Sequence, residues 1–110
     1  MKLLTEELKK RFKEVGQQTE EKDPLVIAKF FDPMGTAQWY ATAYDSEDNK
    51  CFGYVTDLVA DADGLYDEWG YFSIDELEAI VRPFGLGIER DILFTEKRIS
   101  EYVPKLKGEQ

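Results

Sequence analysis

The stretch LVIAKFFDPMGTAQWYATAY, Leu25 to Tyr44, decides the fold. Leu25 to Phe31 and Ala37 to Tyr44 are rich in aromatic and β-branched residues, which suit a pleated, half-buried surface. Between them Asp32-Pro33-Met34-Gly35 carries turn chemistry: an aspartate that can accept from the backbone, a proline with preset φ and a glycine. The segment predicts a β-hairpin. Outward from it, Asp45 to Lys50 is a second polar turn, and Cys51 to Val59 reads as a third strand. Tyr71-Phe72 and Ile92 to Phe94 are candidates for further short strands.

Helices flank this meander. On the N-terminal side Leu8, Phe12 and Val15 recur at helical spacing, with Thr5 placed to cap, Glu6 and Glu7 suited to the positive end, and Gly16 to terminate. The following Gln17 to Pro24 lacks the apolar residues of an element and reads as an exposed connection. On the C-terminal side Ser73-Ile74-Asp75-Glu76 has the capping-box pattern. Ile74, Leu77, Ile80, Val81 and Phe84 would form the buried stripe of the helix it opens, ending near Pro83 and Gly85. Thr95 to Val103 reads as a short last helix. The expected fold class is α+β, a small, mainly antiparallel sheet of four to five strands with two amphipathic helices on one face. We expect a single domain over residues 1–110, with an ordered core at 3–103 and a polar tail at 104–110.

A chain of 110 residues with 43% hydrophobic and 14% aromatic content can bury a core without staples. Cys51 is the sole cysteine, which rules out an internal disulfide and favours a reducing compartment. No membrane-spanning run is present, and Glu6, Glu7, Lys9 and Lys10 interrupt the apolar start, so the expected location is cytoplasmic.

The net charge of −9 is unevenly distributed. Residues 1–29 hold seven bases against six acids and residues 82–110 six bases against five acids, whereas residues 30–81 hold twelve acids and the single base Lys50. The acids are densest at Asp57, Asp61, Asp63, Asp67 and Glu68, interleaved with Tyr66 and Trp69. Such a patch repels phosphate backbones and steers basic protein surfaces toward it. These seven residues are therefore the candidate partner-binding set, with a basic protein surface as the expected partner, in concrete form a nucleic-acid-binding protein, and no direct nucleic-acid contact. The plainer reading is a solvated acidic loop whose aromatics belong to the sheet.

Catalytic signatures are weak. Asp61-Ala62-Asp63-Gly64 invites comparison with a calcium loop, but with Gly64 as sixth residue the first is Val59 and the twelfth Gly70, so the opening aspartate and closing glutamate are missing. The chain has no histidine, which leaves Cys51 and the serines without the usual base. Gly85-Leu86-Gly87 lacks the third glycine of a dinucleotide fingerprint. We therefore expect no cofactor, no metal and no catalytic residue. Glu89-Arg90-Asp91 reads as a structural ion-pair cluster, with a substrate-binding arginine as the sharper alternative.

Several blocks together are similar to one family. Leu3-Leu4-Thr5-Glu6-Glu7-Leu8, Lys29-Phe30-Phe31 leading to Trp39-Tyr40-Ala41-Thr42, Phe52-Gly53-Tyr54 with Asp57-Leu58, Gly70-Tyr71-Phe72-Ser73, and Gly87-Ile88-Glu89-Arg90-Asp91 resemble the bacterial domain of unknown function 2958 family over about residues 3–94. The resemblance implies plasmids and other mobile elements as context, sometimes near antirestriction genes, and carries over no activity or site residue. The acidic stretch Asp61 to Glu68 departs from it. The expected function is a non-enzymatic interaction protein of a mobile element, in concrete form a counter-defence inhibitor of antirestriction or anti-CRISPR type. The alternatives are a metal-assisted hydrolase using the central carboxylates on Mg²⁺ or Mn²⁺, and a structural or assembly subunit.

Overall fold

A computed structural model describes residues 2–109. The first helix, α1 (Glu6–Val15), starts and stops where its sequence directs. Thr5 Oγ1 accepts a hydrogen bond from Leu8 N at 3.1 Å, and Gly16 takes φ 79° while its N–H reaches the Phe12 carbonyl at 2.9 Å.

The meander follows. A two-residue strand, β1 (Leu25–Val26), precedes β2 (Ala28–Phe31), β3 (Gln38–Asp45), β4 (Lys50–Thr56) and β5 (Glu68–Ser73). Asp32 and Asp45 organise the two tight turns through Oδ1, which accept from Met34 N and Glu47 N, both at 2.9 Å. After β5 come α2 (Ile74–Ala79), a 3-10 turn at Pro83–Gly85, β6 (Glu89–Arg90), β7 (Lys97–Arg98), α3 (Ile99–Tyr102) and a 3-10 helix over Pro104–Glu109. The architecture is α+β: a five-stranded antiparallel sheet in the order β5-β4-β3-β2-β6, with β1 and β7 paired separately. The edge strand beside β2 is Glu89–Arg90 and not Ile92 to Phe94, and Ile92 and Leu93 lie exposed beyond it.

Alternation along the strands splits the interior in two. Trp39 belongs with Phe30, Ala41 and Cys51 to a cluster that also takes Phe12 of α1 and Ile74 and Leu77 of α2. Its neighbour Tyr40 belongs with Val26 and Tyr54 to a second cluster, closed by Ile99, Val103 and Leu106. Leu106 is thus a buried apolar anchor within the polar segment 104–109. At the centre of the sheet Gly53 is required, because a Cβ there would lie 1.9 Å from the Tyr40 carbonyl oxygen, next to the bulge at Ala41/Ala43.

The helix opened by Ser73 is shorter than its apolar spacing predicts. Ser73 Oγ accepts from Glu76 N at 3.1 Å, and Ile74 and Leu77 are buried, but Ile80 is already extended. Arg82, held extended ahead of Pro83, cannot continue a helix. Its N–H bonds the Leu86 carbonyl instead, and the chain folds back so that Gly87 packs against the Ile80 carbonyl. Val81 and Phe84 are consequently exposed rather than buried.

Candidate functional site

The β4–β5 connection, residues 57–67, carries the densest acids. It holds its shape through left-handed backbone at Asp57, Asp61, Asp63 and Gly64; aspartate and glycine are the residues that tolerate this conformation best. Turn bonds from Leu65 N to Ala62 O and from Asp67 N to Gly64 O add to it.

The acids divide into two kinds. Asp57, Asp61, Asp63 and Glu68 are exposed, as is Tyr66. Asp67 is not: its side chain is 6% exposed. Its Oδ1 accepts from Asp57 N at 2.7 Å and its Oδ2 from the Lys105 ammonium at 2.5 Å. Burial pushes the Asp67 carboxyl up, but the Lys105 hydrogen bond, the Asp57 N–H and the Lys105 charge together outweigh it and hold the group below its ordinary range. Lys105 is raised in return, first by the Asp67 hydrogen bond. Asp67 therefore closes the loop across its base and ties it to the C-terminal segment. Trp69 also points into structure, with its ring 5.9 Å from Phe52 and nearly parallel to it, and 5.2 Å from Tyr54.

Sequence reasoning named Tyr66 but missed Leu58, Val59 and Leu65, its apolar neighbours between the acids. Leu58, Val59, Leu65 and Tyr66 are 57%, 48%, 74% and 56% exposed. Four large apolar side chains thus stand in solvent on one short loop, beside four exposed carboxylates that form no ion pair among the described residues. The sequence predicts a third strand running on to Val59, but β4 ends at Thr56, which leaves Leu58 and Val59 on the loop and not on the sheet.

Elsewhere several polar groups hold segments of the chain together. Arg90 Nη1 donates to the Lys2 and Leu3 carbonyls, while Asp91 accepts from Leu93 N and lies 3.9 Å from Lys29, so Glu89-Arg90-Asp91 works by holding separate segments. Arg82 bonds Asp32 at 2.7 Å across the first hairpin turn. Cys51 is buried, and its thiol is pushed up by desolvation. Among the described residues no group of three or more His, Cys, Asp or Glu is placed to hold a metal ion, and no helix is long and apolar enough to cross a membrane.

A family model described as a protein of unknown function, DUF2958, matches residues 3–108. The chain belongs to this family. The matched range extends past residue 94 to residue 108, near the end of the chain. No curated protein and no solved structure matches the chain.

Proposed function

We propose that the protein is a non-enzymatic binding protein that docks the β4–β5 loop on a basic partner protein. The observation that carries this reading is the coincidence of Leu58, Val59, Leu65 and Tyr66, all exposed, with Asp57, Asp61 and Asp63 on a loop braced by Asp67, and with Glu68 at the start of β5. Apolar and aromatic groups supply contact energy at the centre of an interface, and surrounding charge steers encounter and selects the partner. A loop already ordered loses less freedom on binding than a slack one. The mobile-element setting, which rests on the family resemblance alone, would make a defence protein with a basic nucleic-acid-binding surface the partner of interest. A hydrolase would need converging carboxylates, and Asp67 is committed to Lys105.

Affinity purification from the native host tests this reading with three forms of the full chain. The wild type should retain a discrete protein of sequence pI above about 9. Leu65→Ser with Tyr66→Ser should lose it, and Asp61→Asn with Asp63→Asn and Glu68→Gln should bind it more slowly and with weaker salt dependence. A partner held equally by all three forms would refute the assignment of the loop.

A further inference from the structure

The structure assigns a second site, independent of the docking loop: a cavity of about 410 Å³ against the aromatic face of the sheet, suited to a small planar aromatic anion. That volume lies in the range of small-molecule pockets. The C-terminal segment covers the Tyr40 and Tyr54 end of the face through Ile99, Val103 and Leu106. Beyond it Phe52, Trp69 and Tyr71 remain as cavity lining.

The floor suits a flat ring. Phe52 and Trp69 lie 9° from parallel, and Tyr71 stands edge-on to Phe52 with centroids 5.0 Å apart. Tyr71 is 66% exposed, more than packing alone would leave such a ring. Opposite Phe52 in the ladder stands Ala43, whose small side chain leaves room above the rings.

The far wall is the polar connection 17–24, and it is held in place despite its lack of large apolar side chains. Gln18 sits at φ 58° because its side chain is fully committed: Oε1 accepts from Leu25 N at 2.8 Å, and Nε2 donates to the Leu25 and Thr42 carbonyls at 2.9 and 2.7 Å. Asp23 accepts from the backbone and hydroxyl of Ser100 at 3.0 and 2.7 Å. A backbone held in a sparsely populated conformation by three side-chain bonds is a preformed wall.

Charge selects the ligand's sign. Lys22 lines the cavity without an ion-pair partner among the described residues. Lys50, outside the lining, holds its ammonium 4.6 Å from the Tyr71 ring centre and 3.6 Å from Asp48, so it adds little net charge there. The lining acid, Glu21, has its carboxylate 3.6 Å from the Arg98 guanidinium. A cation would meet the Lys22 ammonium and a carboxylate already paired with Arg98, whereas an anionic substituent on a stacked ring can reach Lys22.

Calorimetry on the full chain with indole-3-acetate, indole and tryptamine tests this, since the three share a ring and differ in charge. Indole-3-acetate should bind at one site with Kd of about 1 mM or tighter, the level its size supports, and ahead of both others. Tyr71→Ala, at an exposed position, should weaken it at least fivefold, roughly what loss of one stacking wall costs. Lys22→Gln should abolish its advantage over indole. Leu65→Ser, which disables the docking loop, should leave it unchanged, so the two sites fail separately. No saturable binding at about 10 mM, a preference for tryptamine, or indifference to Tyr71→Ala would overturn the assignment.

Discussion

Asp67 is the residue on which the loop's geometry turns, and its pairing has a pH signature. Its carboxyl is depressed in the folded protein, so the stabilisation is present above the unfolded value and is lost as pH falls through the folded one. Asp67→Asn should cost about 1 to 2 kcal/mol at neutral pH, and the gap from wild type should begin to close below about pH 4. Urea melts at a series of pH values measure it; a constant gap would deny the ion pair its role. Gly64 is coupled to the same lock. A Cβ on it would stand 2.9 Å from Asp67 Oδ2 and 3.0 Å from Lys105 Nζ, at a backbone φ of 77° that a side chain resists. Cys51 offers a second test at this scale. Buried and with its thiol raised, it should react with an aromatic disulfide reagent only as fast as the chain unfolds, and a native-state rate near that of a free thiol would contradict its burial.

Elements were legible where a local rule and the tertiary structure agree. Thr5, Gly16 and the Leu8, Phe12, Val15 spacing mark α1, and the turn residues Asp32 to Gly35 mark the first hairpin; each needs only its own neighbours. Legibility failed where distant residues decide. Glu68 and Gly70 are poor strand formers, yet β5 runs from Glu68 to Ser73 because Trp69 and Tyr71 pack their rings on Phe52 of β4. Val81 and Phe84 match a helical stripe, but Pro83 stops the helix upstream and exposes both. Leu106 is a lone apolar residue in a polar run, and only the second cluster explains its burial. The candidate site was legible as charge and not as contact: the acids announce a patch, while the exposed leucines and the diversion of Asp67 and Trp69 into structure required the fold. Two substitutions test elements directly. Ser73→Ala should cost about 1 kcal/mol through loss of the Glu76 N–H acceptor. Gly53→Ala, by driving β3 and β4 apart, should cost about 3 kcal/mol. Denaturant midpoints at wild-type values in either case would contradict the geometry.

At the scale of the whole molecule, the excess acid of residues 30–81 is carried on a sheet whose two ends of chain are nearly balanced in charge. Lys105, from the C-terminal segment, crosses to Asp67 and neutralises the inward-facing acid of the loop, leaving Asp57, Asp61, Asp63 and Glu68 to define the outward field. Apolar side chains sit within that field on one loop, and this arrangement is the basis for a docking function. Site-specific photo-cross-linking tests it most directly, with a photoreactive side chain placed at position 65 in the loop or, as control, at the exposed position 20 in the native host. The account predicts one discrete adduct from position 65 alone, formed with a basic protein and suppressed by added salt. Adducts of the same identity from both positions, or a partner at position 65 that is acidic and indifferent to salt, would contradict it.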